Sequence, residues 1–273
     1  MSEVSDSSLR PLAVDLGRAF GGALIFSLPM IMTMEMWELG FTMNRWRLLL
    51  LLLASVPVLM FLSHYSGFER TEGWQDDLRD VGVAYGVGIL ASGAIMLLLA
   101  ITGPGMSLSE LVGKLVLQAV PAALGALLAR SQLGQDRDED GPEEGYRGEL
   151  GVMAVGALFL SLNIAPTDET MVIAYRMTPW HSLLLVVVSI LVMHGFVYAV
   201  EFKGSGALPQ GTPIWQPLLR FTLVGYVMGL AIALYALWTF SRLDGMSLHQ
   251  IVAAIIVLGF PAAIGAAAAR LIL

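Results

Sequence analysis

Two short stretches place acids in runs that are otherwise apolar. SLPMIMTMEMW, from Ser27 to Trp37, carries Glu35, and SLNIAPTDETM, from Ser161 to Met171, carries Asp168 and Glu169. A carboxylate facing lipid costs about 2.5–3.5 kcal/mol or more, so such groups usually face a bundle interior or a water-filled path. Thr33 precedes Glu35, and Thr167 precedes Glu169, so each acid has a hydroxyl oxygen close by. The chemistry on offer is cation binding or proton relay. Glu35 and Glu169 would be the binding carboxylates, Thr33 and Thr167 would add oxygen ligands, and Asp168 would set the local charge. A broken helix at Pro29, or at Ala165-Pro166, would add free carbonyls at the same depth. The same residues also read as helix starts, with a capping hydroxyl followed by acids in the positive first turn. At about 1.5 Å per residue from Ala19, Glu35 would lie roughly 24 Å along and some 6 Å short of the far interface. Depth decides between the two readings.

Other chemistries lack their residues. There is no cysteine, which removes disulfides, thiolate metal sites and cysteine nucleophiles together. The four histidines are scattered, without a ligand spacing such as HExxH. No GxSxG elbow, phosphate-binding GxxxxGK[ST] or dinucleotide fingerprint is present. The expectation is therefore no enzyme, no metal and no cofactor. A basic patch for nucleic acid is also missing. Lys114 falls inside an apolar run, but Glu110 stands one helical turn before it and an i,i+4 pair accounts for it. His194 reads as a packing residue.

The elements that must position these acids are transmembrane helices. Apolar residues make up 56% of the chain and charged residues 14%, where soluble chains carry about a quarter charged, and the mean hydropathy is +0.74. Runs of about 20 apolar residues fall at 17–41, 47–66, 80–101, 108–130, 149–172, 181–200, 219–239 and 247–271. Much of the formal charge of −7 comes from acids crowded into Asp136 to Glu149. That composition cannot bury enough apolar area to fold alone and reads as a solvated linker. The implied organisation is a polar segment at 1–16, a membrane repeat at 17–131, an acidic linker at 132–148 and a second repeat at 149–273.

The two halves match each other. In one register Ser27-Leu28 pairs with Ser161-Leu162, Thr33 with Thr167, Glu35 with Glu169, and Trp46 with Trp180. Farther on, Trp74-Gln75 pairs with Trp215-Gln216 and Tyr85 with Tyr226; GMSL recurs at 105 and 245, and PAALGALLAR (121–130) pairs with PAAIGAAAAR (261–270). The predicted fold is an all-α polytopic membrane protein of about eight transmembrane helices, built from two tandem four-helix repeats with a pseudo-twofold relation. A re-entrant first helix in each repeat would instead make the repeats inverted. Arginine and lysine gather on the side that holds the N-terminus, so the positive-inside rule puts both termini and the acidic linker in the cytoplasm. Gly125/Ala129 and Gly265/Ala269 are small-residue pairs that let helices approach closely, within the bundle or in a homo-oligomer. GMSL reads as a turn and N-cap.

With SLPMIMTMEMW, PAALGALLAR with its copy, and the acidic linker in place, the chain resembles an uncharacterised bacterial family of integral membrane proteins. The resemblance covers nearly the whole chain. It implies a bacterial inner-membrane location and brings no activity or site residues with it. The function expected from the residues is a small channel or secondary transporter for a cation or proton, working in the lipid bilayer. The alternative is a non-transporting membrane scaffold that recruits a partner through the acidic linker.

Overall fold

The computed structural model describes residues 3–66, 73–133, 146–199 and 215–272. All the regular structure among them is helical, and eight helices are long and apolar enough to cross a membrane. The middle of the acidic linker lies outside the described residues, as do Arg70, Arg137 and Lys203, three of the basic residues assigned to the cytoplasmic side. The chain divides into two compact units, Met1–Glu139 and Asp140–Leu273.

In the first unit, α1 (Glu3–Ile31), α2 (Met34–Thr42), α3 (Arg45–Ser66) and α4 (Trp74–Leu98) all pack on α5 (Leu108–Leu133). The reason lies in the PAALGALLAR stretch. Its small side chains let neighbours close in on every side, and Leu117 to Leu128 are buried almost without interruption. Gly22 of α1 and Gly125 of α5 meet backbone to backbone: a Cβ on either would overlap the other's carbonyl oxygen. Gly88 of α4 lies where a Cβ would sit 3.0 Å from that of Ala122.

The second unit contains α6 (Tyr146–Ile164), α7 (Asp168–Arg176), α8 (Pro179–Ala199), α9 (Trp215–Pro217), a π-helical turn (Leu218–Thr222), α10 (Leu223–Thr239) and α11 (Leu248–Ile272). Here α11 takes the central place, against α6, α7, α8 and α10. Gly156 and Gly265 meet as Gly22 and Gly125 do, and Gly229 lies opposite Ala262 and Ala263 as Gly88 does opposite Ala122 and Ala123. Gly125, Ala129, Gly265 and Ala269 are thus used for packing inside their own units.

Two expected spans are divided. The run 17–41 breaks after Ile31 and resumes as α2, and the run 149–172 breaks after Ile164 and resumes as α7. At the second break Pro166 has no N–H with which to continue the helix, and Thr167 is extended (φ −78, ψ 146). At the first, the helix runs through Pro29 and stops only where Thr33 turns extended (φ −98, ψ 139). The third span begins at Trp74, well before the expected 80, because Asp77 and Asp80 are taken into its buried face. Trp46, Trp74, Trp180 and Trp215 all stand at helix starts and are exposed, as indoles at a membrane interface are. The two GMSL turns are left-handed at Gly105 (φ +93) and Gly245 (φ +77), and Ser107 Oγ accepts the N–H of Glu110 as an N-cap.

Candidate functional site

The structure places the five sequence-derived residues at the two helix breaks. Thr33 is the N-cap residue of α2 and Glu35 lies in its first turn; Thr167 caps α7, with Asp168 and Glu169 in its first turn. Thr33 and Glu35 therefore share one break, and Thr167, Asp168 and Glu169 share the other, each set within its own unit. The hydroxyls do not cap forward. Thr33 Oγ1 donates back to the Met30 carbonyl (2.8 Å) and Thr167 Oγ1 to that of Ile164 (2.9 Å). Their donors close the ends of α1 and α6, while their lone pairs are still able to accept or ligate. Trp37 Nε1 donates to the Ile31 carbonyl (2.8 Å), bridging the first break.

The level of each break follows from the glycine crossings. Gly22 lies against Gly125 and Ala129, and α1 runs antiparallel to α5, so about 14 Å farther on its last residue comes level with Gln118. That is roughly 15 Å inside the start of α5 at Leu108. From there α2 climbs to bring Gly40 against Gly113 and Lys114. In the second unit Gly156 lies against Gly265 and Ala269, and the same count brings Ile164 level with about Leu258, some 15 Å from Leu248. Both breaks fall well inside the length of the helix they pack on.

The acids at the two breaks differ. Glu35 is half-buried, whereas Asp168 and Glu169 are exposed. Asp168 is held by Arg242, whose Nη1 lies 2.6 Å from Oδ1 while Nη2 donates to the Pro166 carbonyl. A guanidinium therefore covers the carbonyl freed by the second break and balances the charge of Asp168. In the register that aligns the two GMSL turns, Thr102 of the first unit stands where Arg242 does in the second.

Several interior polar groups drew no functional reading from the sequence. Asp77 and Asp80 of α4 are buried; His64 Nδ1 lies 3.7 Å from Asp77 Oδ2, and Ser63 Oγ donates to Asp80 Oδ2 (3.2 Å). The hydroxyls of Ser55 and Tyr85 meet at 2.6 Å. Lys114 is buried and pairs with Glu110 at 2.8 Å, the i,i+4 pair expected. Gln118 and Ser92 are fully buried, and neither the amide nor the hydroxyl has a hydrogen-bonding partner among the described residues. An unsatisfied amide in an apolar interior costs about 1–3 kcal/mol by protein measurements and more by transfer to hydrocarbon. In the second unit His194 Nδ1 and Thr222 Oγ1 meet at 3.0 Å, the packing role expected for that histidine. Arg270 pairs with Glu149 at 2.7 Å and lies over Phe221 (4.5 Å to the ring centroid), turned inward where an interfacial anchor would turn outward. The usable signal for the missed groups was a polar residue in a span whose partner in the other half is apolar, as Gln118 against Leu258.

Residues 15–273 match the sequence model of one protein family, described as putative integral membrane protein (DUF2391). The chain belongs to the DUF2391 family. The match takes in both units, both breaks and every helix able to span a membrane. The DUF2391 description names no activity, so the site has to be judged on its own geometry. No curated protein and no solved structure matches this DUF2391 chain.

Proposed function

We propose that this DUF2391 protein is a small channel or secondary transporter for a cation or a proton, seated in the bacterial inner membrane with both termini in the cytoplasm. The observation that carries this reading is the pair of broken helices. In each unit a membrane-length helix stops at a threonine and restarts with a carboxylate in the next turn, well inside the length of its packing partner. If α5 begins at the outer interface, the first break lies near the middle of a hydrocarbon core about 30 Å thick. A helix end at that depth supplies carbonyl oxygens and N–H groups together, the arrangement from which transporters build ion sites.

Glu35 is the stronger of the two carboxylates, being half-buried where Glu169 is exposed. Glu169 is its counterpart in a unit where Arg242 already neutralises Asp168. Glu35→Gln and Glu169→Gln proteins, inserted normally into liposomes, are expected to lose cation or proton flux, with the larger loss at Glu35. Unchanged flux in both would remove the assignment. The scaffold reading makes a different demand: deleting Gln132 to Glu149 should abolish partner capture, whereas a transporter should keep its flux if the halves remain connected.

A further inference from the structure

Ser92 and Gln118 lie on neighbouring helices at one level. Gly88 of α4 faces Ala122 and Ala123 of α5, and Gly93 faces Leu115, so the antiparallel register brings Ser92 opposite Gln118. Both residues are 0% exposed, and their polar atoms have no hydrogen-bonding partner among the described residues. The end of α1 reaches the same level, and α1 packs on both α4 and α5.

The second unit argues against a purely architectural role for this pair. The register that aligns Gly88 with Gly229 puts Ala233 in the place of Ser92. The register that aligns PAALGALLAR with PAAIGAAAAR puts Leu258 in the place of Gln118. Ala233 and Leu258 are also fully buried, in a helix pair built on the corresponding glycine contact. Apolar side chains therefore satisfy this packing position, and the first unit carries polar ones at a cost in burial that no hydrogen bond among the described residues offsets.

We propose that the first unit holds an internal water site between Ser92 and Gln118, open to solvent past the break at Met32–Thr33, while the second unit is dry at the matching place. The ligand class follows from the donor set. A hydroxyl and a carboxamide each donate and accept, which suits water with its two donors and two acceptors. Two neutral oxygens fall well short of the six to eight that calcium takes and of the octahedron that magnesium demands. The site deepens the transport reading, on which its purpose rests, by assigning a hydrated section of the pathway to the first unit. Its existence stands on the packing alone.

The chain has no cysteine, so single thiols can report on water directly. Full-length Ser92→Cys, Gln118→Cys, Ala233→Cys and Leu258→Cys proteins in liposomes are each exposed to silver ions, and the remaining thiols are counted after denaturation. Because the thiolate is the reactive form and needs water to exist, thiols at 92 and 118 are expected to react at least about tenfold faster than those at 233 and 258. Adding Gln118→Leu to the Ser92→Cys protein should slow its thiol to the rate at 233. Equal rates at all four positions, fast or slow, would overturn the proposal. So would a Ser92→Cys thiol that reacts as fast with Gln118→Leu as without it. Fast thiols at 92 and 118 together with unchanged flux in Glu35→Gln and Glu169→Gln would retain the water site and reject the transport reading.

Discussion

Lys114 illustrates how burial sets the value of a charge. Its side chain is 6% exposed and that of Glu110 is 25% exposed, at 2.8 Å. Removing the acid leaves a buried ammonium with the neutral Ile101 carbonyl (3.4 Å) and no balancing charge from Glu110, whereas removing the lysine leaves a carboxylate that can still reach water. Glu110→Gln should therefore destabilise by about 3 kcal/mol, more than Lys114→Met does, because an uncompensated buried charge costs more than a lost pair. Thermal unfolding in detergent checks the order; a reversed order would mean that Lys114 Nζ has another way to water. The Arg242–Asp168 pair calls for the opposite expectation. Asp168 is 70% exposed, so Asp168→Asn should cost less than about 1 kcal/mol. Arg242→Ala should cost more, about 1–2 kcal/mol, since it also uncovers the Pro166 carbonyl.

At the scale of elements, the glycine crossings decide how close the helices come. A Cβ on Gly22, Gly125, Gly156 or Gly265 would meet backbone, which cannot move aside as a flexible side chain does. Alanine at any of the four should lower the unfolding temperature of the full chain, with about 1–3 kcal/mol of stability lost to overpacking. Gly17→Ala and Gly86→Ala are the controls: nothing lies within 4 Å of a Cβ at either, so each should be neutral or gain up to about 1 kcal/mol of helix propensity. The small-residue pairs Gly125/Ala129 and Gly265/Ala269 were legible in the sequence because their spacing states the packing mode. Their partners, Gly22 and Gly156, were not, since one glycine among many has no spacing to mark it. The breaks were legible in kind and displaced in place. Pro166 ends its helix nearby because its missing N–H acts locally, while Pro29 is carried inside α1 because the flanking turns still find their carbonyls.

For the whole molecule the first question is how many times the chain crosses the membrane. Each unit contains four helices of sufficient length and hydropathy, and α1 and α6 are continuous to their breaks. With four crossings per unit, the turn after α2 and the turn after α7 face the same side. Cysteines introduced at Asn44 and Thr178, both exposed in those turns, should then react with an impermeant reagent from the same side of right-side-out vesicles. Reaction from opposite sides would mean three crossings per unit and inverted repeats. Composition and apolar run length settled the class and the eight spans, because water-to-lipid transfer depends on the residues themselves. The residue types also named the threonines and acids at the breaks, although the two hydroxyls close the preceding helix and do not cap the next as the sequence suggested. Only the tertiary structure decided that Asp168 is balanced by Arg242 and that Ser92 and Gln118 are buried at one level on neighbouring helices. These relations join residues far apart in the chain, and no local preference encodes which buried faces will meet.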